Sequence, residues 1–297
     1  MGNGADMPAL RLLLERLTTA LENARVLDPP ADWAQRVTGL VGPGRAKDLL
    51  SGTPIGHPMH PALVTLPIGA FASAVVLDAT GGDPRSARRL VGLGLLSSLP
   101  AAATGASDWN ETQGAERRVG VVHALTNSAA LALLASSWWQ RRSGSGRGRS
   151  AAGLALLGGS AWLGGHLSYA QGVGVDTTAF AKPPVDWTDA CALDELSDRT
   201  PFAVTVVDVP VLLLSRPDGL VAMANRCTHR GAPLSDGELV DGCIECPWHA
   251  SRFDLRTGQV QRGPATRPQP VFEVRVVEGR VQVRRDEQRT LRLNPAS

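Results

Sequence analysis

Cys227-Thr228-His229-Arg230-Gly231-Ala232-Pro233-Leu234 and, further on, Cys246-Pro247-Trp248-His249 decide how the C-terminal part of this chain is read. The pattern is C-x-H, sixteen intervening residues, then C-x-x-H. Two thiols and two imidazoles on paired loops are a donor set for soft-metal chemistry, either an iron–sulfur centre with mixed ligands or zinc. The residues between the loops read as a short hydrophobic hairpin, which returns the second loop to the first. Cys243 stands in C-x-x-C spacing with Cys246, which alone also fits a zinc or redox pair. The alternative places Cys243 in a strand of the hairpin and makes Cys191 a buried small hydrophobe.

The residues around the ligands carry a closer resemblance. Gly231 and Pro233 shape the first loop, Asp254-Leu255-Arg256-Thr257-Gly258 closes a hairpin after the second, and Gly263-Pro264 follows it. Over about Cys191 to Arg285 the chain resembles the Rieske family. That resemblance implies a [2Fe–2S] cluster with Cys227 and Cys246 on one iron and His229 and His249 on the other. It also makes Gly263-Pro264 the loop that covers the cluster. Zinc patterns space their ligands differently and do not account for Pro247, Gly263 and Pro264 together. Respiratory Rieske proteins carry an extra cysteine in each loop, where this chain has Ala232 and Trp248, so the loops are more similar to those of dioxygenase ferredoxins and dioxygenase Rieske domains. The resemblance implies a potential at the low end of the Rieske range, which Ser251 would raise by hydrogen-bonding a cluster sulfur. Ala250 stands where the family has glycine.

The chain has 297 residues, a net charge of +2 and four cysteines. No basic stripe interleaved with aromatics is present, so nucleic acid is not an expected partner. The cysteine count suggests no disulfide scaffold. No apolar run with a small-residue cleavage site stands at the N-terminus, so no cleaved signal peptide is expected. Mean hydropathy near zero hides four apolar stretches, at about 61–79, 90–106, 119–139 and 151–170. Each is long enough, or nearly so, to cross a hydrocarbon core that takes about 20 helical residues. Pro67 and Pro100 are tolerable in such helices, the abundant glycines allow close helix approach, and Trp109, Trp138 and Trp139 fall near ends, as in an interfacial belt. The competing reading is the buried core of a soluble helical domain. Before these stretches, residues 7–24 read as an amphipathic helix with Leu10, Leu13, Leu14, Leu17 and Leu21 on one face. Pro29-Pro30 ends it, and a shorter helix with Trp33, Val37 and Leu40 follows. This segment is either a helical hairpin or a membrane-surface helix.

Gly56-His57-Pro58-Met59-His60-Pro61, Gly105-Ala106-Ser107-Asp108-Trp109 and His166-Leu167-Ser168-Tyr169 with Gly172 to Asp176 resemble a family of four-span membrane domains of unknown function. The likeness covers about 51–176. Threading four spans places His57, His60, His123 and His166 on one side of the bilayer together with the Rieske-like domain. Ionisable residues in spans are rare and functional by default. Those four histidines are candidates for a b-type haem, a quinone pocket or a metal site. The alternative is histidines that cap helix ends and hydrogen-bond across the bundle.

Arg85, Arg88, Arg89, Arg141, Arg142, Arg147 and Arg149 fall on the opposite side, against Arg45, Lys47, Arg117, Arg118 and Lys182. The positive-inside rule then puts the Rieske-like domain outside the cytoplasm, while the free Cys191 and Cys243 suit a reducing compartment. The expected organisation is an amphipathic segment over 1–50, a four-span domain over 51–176, a linker over 177–190, a Rieske domain over 191–286 and a tail over 287–297. In fold class this is an N-terminal all-α four-helix transmembrane bundle and a C-terminal all-β iron–sulfur domain. Short strands are expected over 204–207, 211–214, 220–223, 271–277 and 280–283. The expected function is a membrane-anchored carrier relaying single electrons to or from a redox partner protein or the quinone pool. A quinol- or haem-linked oxidoreductase and a redox-sensing membrane protein are the alternatives. The remaining histidines lie in the apolar region, so no two-His, one-carboxylate iron site is expected and the chain does not read as a terminal oxygenase.

Overall fold

The computed structural model describes residues 6–286; the expected tail over 287–297 lies outside them. The chain divides into two compact units, one built from residues 6–42 and 59–173, the other from residues 43–58 and 174–286.

The first unit is helical. It contains α1 (Asp6–Asn23) and α2 (Asp28–Thr38); α3 (Arg45–Ser51) belongs to the second unit; α4 (Met59–Leu63), α5 (Thr65–Ala79), α6 (Pro84–Trp109), α7 (Gly114–Gln140) and α8 (Arg147–Gly165) complete the first. Pro29 and Pro30 do not end α1, which stops at Asn23 and is followed by a short turn at Arg25–Leu27. They occupy the opening turn of α2, where a missing N–H costs nothing. Asp83 caps α6, its carboxylate accepting the Arg85 and Ser86 N–H groups at 3.3 and 2.9 Å, with Pro84 directly after it. That cap starts the helix six residues before the apolar run expected from residue 90, and carries Arg85, Arg88 and Arg89 into it.

All four expected spans are helical. Among the described residues, three segments are long and apolar enough to cross a membrane: Met59–Ala79, Pro84–Trp109 and Gly114–Ser143. The α8 segment is shorter, rich in glycine, and opens with Arg147 and Arg149. Buried Phe71, Ala74, Val91 and Leu134 form the centre of the unit, with Leu90, Leu131, Trp138 and Leu157 packed against them. Close approach depends on small residues. A Cβ at Gly94 would stand 2.4 Å from Phe71 Cε1, and one at Gly120 2.2 Å from Trp109 Cδ1. Asp78 at the end of α5 and Arg141 after α7 form a buried ion pair, with Nη1 donating to Oδ1 at 2.9 Å and Nη2 to Oδ2. Ser137 and Ser150 complete the set, so no charge is left without a partner. Arg118 ties the N-terminal helices to α7 through the Asp28 carboxylate at 2.7 Å and the Glu22 carbonyl at 2.8 Å.

The second unit is antiparallel β. A six-stranded sheet runs in the order β1 (Thr188–Ala192), β10 (Arg280–Arg285), β9 (Val271–Val277), β4 (Gly219–Ala224), β3 (Val209–Arg216), β2 (Phe202–Val206). A four-stranded sheet runs β5 (Glu238–Val240), β6 (Cys243–Glu245), β7 (Arg252–Asp254), β8 (Val260–Arg262). The unbroken apolar run Val211-Leu212-Leu213-Leu214 is buried on both faces of β3. Val211 and Leu213 join one core with Phe272, Val281 and Val283. Leu212 and Leu214 join the other with Leu234, Ile244, Phe253, Cys227 and Cys246. The second core is the floor of the ligand loops. Cys191 and Cys243 are buried strand residues, in β1 and β6.

Candidate metal centre

Each ligand loop is closed by the same two backbone bonds. The Cys227 N–H donates to the Ala232 carbonyl at 2.9 Å and the Gly231 N–H returns to the Cys227 carbonyl at 2.8 Å. In the second loop the Cys246 N–H donates to the Ser251 carbonyl at 2.8 Å and the Ala250 N–H returns to the Cys246 carbonyl at 3.0 Å. This closure needs a left-handed residue four places after the cysteine, which Gly231 supplies at φ 79° and Ala250 at φ 58°. Glycine adopts that conformation freely, whereas alanine is strained there by about 1 kcal/mol.

The closure buries both cysteines, Cys227 at 1% and Cys246 at 3% exposed. Backbone N–H groups of His229 and Arg230 point at the Cys227 sulfur, and those of Trp248 and His249 at the Cys246 sulfur. The two thiols are hydrogen-bonded neighbours. That bond pulls Cys246 down to about 7 and, with burial, pushes Cys227 well up. The His229 and His249 rings meet edge to face with centroids 5.0 Å apart, and both residues are half-buried. Their Nδ1 atoms are buried and make no hydrogen bond, although each imidazole is otherwise engaged with its surroundings. Two buried imidazole nitrogens beside two adjacent thiols, one already acidic, suit a metal centre that needs thiolate and neutral imidazole.

Several supporting residues carry no motif. Gln269, fully buried between Pro268 and Pro270, accepts the Thr228 N–H at 3.2 Å and donates to the Ala224 and Arg226 carbonyls at 2.7 Å each. Thr177, in the expected linker, donates its hydroxyl to the Cys227 carbonyl at 2.7 Å. Arg262 donates to the Ala250 carbonyl at 3.0 and 2.7 Å while pairing with Glu245 at 2.8 Å. The only sequence cue for any of these was the placement of Gln269 between two prolines. Ser251 is fully buried and its Oγ accepts the Ala265 N–H at 3.0 Å.

The other candidate histidines are not gathered at this site. His57 lies in residues 43–58 of the second unit, the other three in the helical unit. His123 Nδ1 faces the Ser160 carbonyl at 2.8 Å, so it donates, and Nε2 accepts from the Asn127 amide at 3.1 Å. His60 Nδ1 donates to the Ala101 carbonyl at 2.8 Å, and His166 Nε2 meets Glu22 Oε1 at 2.7 Å. Both ring nitrogens of His123 are taken, as is Nε2 of His166. The haem and quinone readings therefore gain no support, and the hydrogen bonds are those of histidines that cross-link helices.

Residues 186–276 match the family model of the Rieske [2Fe-2S] domain. The anthranilate 1,2-dioxygenase ferredoxin subunit of Burkholderia cepacia is 38% identical over 98 residues, which are 33% of this chain and 91% of that protein. The chain belongs to the Rieske [2Fe–2S] family. Ferredoxin CarAc of Metapseudomonas resinovorans is 39% identical over 98 residues, 33% of this chain and 92% of that protein. A solved complex of reduced oxygenase and oxidised ferredoxin in carbazole 1,9a-dioxygenase matches 33% of this chain and 92% of its own at 37% identity, with a TM-score of 0.31. Residues 56–177 match a family model described as a predicted membrane protein (DUF2231). This Rieske protein thus joins an iron–sulfur domain to a membrane-type domain, and its cofactor is a [2Fe–2S] cluster.

Replacing Gln269 with leucine leaves the Thr228 N–H and two carbonyls buried without partners. Denaturant unfolding followed by visible circular dichroism of the cluster should show a loss on the order of 3 kcal/mol. In the same assay Ala250→Gly should stabilise by under about 1 kcal/mol, because it releases left-handed strain, whereas Ala250→Val should destabilise.

Proposed function

We propose that this protein is a membrane-anchored one-electron carrier. Cys227 and Cys246 hold one iron of the cluster, and His229 and His249 hold the other. When bound, the cluster supplies reversible one-electron exchange. The residues of the chain do the rest. The closed loops keep both sulfurs away from water, and the N–H groups aimed at them offset negative charge that would otherwise be costly to bury. The half-buried imidazoles of His229 and His249, beside exposed Trp248, form the edge by which a partner gains electronic access. The observation that carries this reading is the convergence of two buried thiols and two imidazoles on matched loops.

Ferredoxin components of dioxygenase systems among the relatives support a redox protein as partner. The apolar helices support an anchor in the lipid bilayer, with α8 as the fourth crossing. With four crossings, seven arginines fall in the connections read as cytoplasmic, which favours placing the domain that follows α8 outside the cytoplasm.

Proteoliposomes of the full chain should give the reduced-cluster EPR signal with NADH and a flavoprotein ferredoxin reductase, and no signal with a ubiquinol analogue. Reduction by quinol alone would replace the carrier reading with a quinol-oxidising one. For orientation, a C-terminal tag should be accessible to antibody once the outer envelope is opened and the plasma membrane left intact. Detection only after that membrane is lysed would put the domain in the cytoplasm.

A further inference from the structure

Residues 43–58 precede the apolar helices in the chain yet fold with the Rieske domain. They comprise α3, a left-handed Gly52 and a short turn, Thr53–Ile55. Lys47 and Ser51 on α3 are buried at 6% and 3% exposed. Two polar side chains reach the loop that follows β8. The Asp48 carboxylate accepts the Gly263 N–H at 2.8 Å, and the Thr53 hydroxyl donates to the Ala265 carbonyl at 3.1 Å. The fit is close. A Cβ at Gly263 would stand 2.2 Å from Thr53 Oγ1 and 2.9 Å from Asp48 Oδ1, which accounts for glycine at that position without reference to the cluster.

The contact continues inward. Ala265, fully buried, donates its N–H to Ser251 Oγ at 3.0 Å, and the Ser251 carbonyl accepts the N–H of Cys246 at 2.8 Å. A continuous path therefore runs from Thr53 through the carbonyl and N–H of Ala265, which belong to successive peptide groups, and Ser251 to a cysteine of the metal centre. Because the Ser251 oxygen accepts from Ala265, its own hydrogen is directed to a different acceptor, and this fixes the hydroxyl's orientation inside the site. Hydrogen bonds to the sulfurs of an iron–sulfur centre raise its potential.

We propose that residues 43–58 form a strap that holds the Gly263–Ala265 loop and, through Ala265 and Ser251, sets the reduction potential of the cluster. The Rieske family match begins at residue 186, so the strap is supplied from outside the matched domain. Thr53 and Asp48 are positioning residues. The inference rests on a [2Fe–2S] cluster occupying the ligand set, and is independent of which partner exchanges electrons with it.

The test uses the full chain in detergent, titrated redox-potentiometrically with EPR detection. Thr53→Val should lower the midpoint, by about 59 mV if the equilibrium for cluster reduction changes tenfold, and Thr53→Ser should restore it. Ser251→Ala should also lower the midpoint, and adding Thr53→Val to it should produce little further change, since both lie on one path. An unchanged midpoint in Thr53→Val, or a full additional shift in the double variant, would overturn the proposal. A second readout does not depend on the potential. Amide hydrogen exchange in the peptide covering Gly263 and Ala265 should be at least tenfold faster in Asp48→Ala, with β9 and β10 unchanged and Asp48→Asn close to wild type. Unchanged exchange in Asp48→Ala would remove the strap contact. Wild-type protein lacking a Rieske EPR signal would instead overturn the cluster reading, and the exchange result would still judge the strap.

Discussion

The pair of hydrogen bonds that closes each ligand loop is the constraint on which the metal centre depends. A cysteine N–H reaches the carbonyl five residues on, and the N–H four residues on returns to the cysteine carbonyl. With those groups satisfied locally, the remaining N–H groups of the loop are turned toward the sulfur. Buried thiols could not otherwise carry charge, because an uncompensated anion in an apolar interior is costly. The floor beneath the loops is apolar, made by Leu212, Leu214, Ile244 and Phe253. Residues distant in the chain then lock the loops in place: Gln269 and Thr177 on the first, Arg262 on the second.

The helical unit pairs its polar side chains in a similar way. Among apolar helices a polar side chain gains most from a partner within the protein. His60 and His123 are held alike, each with Nδ1 donating to a carbonyl on a neighbouring helix and its ring against a glycine four residues further along that helix, Gly105 and Gly164 respectively. The buried Asp78–Arg141 pair links α5 to the end of α7, and two serines accept further N–H groups of the guanidinium. These contacts give His60, His123 and the Asp78–Arg141 pair partners within the protein.

Much of this could be read from local pattern. The spacing of Cys227, His229, Cys246 and His249 is a property of two short loops, and the local closure of those loops brings the ligand atoms to their positions. The strands from Val211 and Val271 were legible because short apolar, β-branched runs bounded by turn residues are local signals. The two hairpins that hold β5 to β8 were legible from their turns, but the limits of their strands were not, since three residues carry too little pattern. The limits of α6 were set by the Asp83 cap rather than by hydrophobicity. The strap was not legible at all: seven helical residues with a lysine and an aspartate look like an ordinary surface turn.

The sequence by itself determined the candidate ligand set, the all-β character of the C-terminal domain and the apolar helices before it, because each depends on residues close together in the chain. Only the tertiary structure decided which histidines stay with helices, that Gln269 supports the first loop, and that residues 43–58 belong with a domain beginning more than a hundred residues later. Those outcomes rest on hydrogen bonds such as Asp48 to Gly263, whose partners are 215 positions apart. Their existence depends on the whole chain having folded, and no local pattern encodes them.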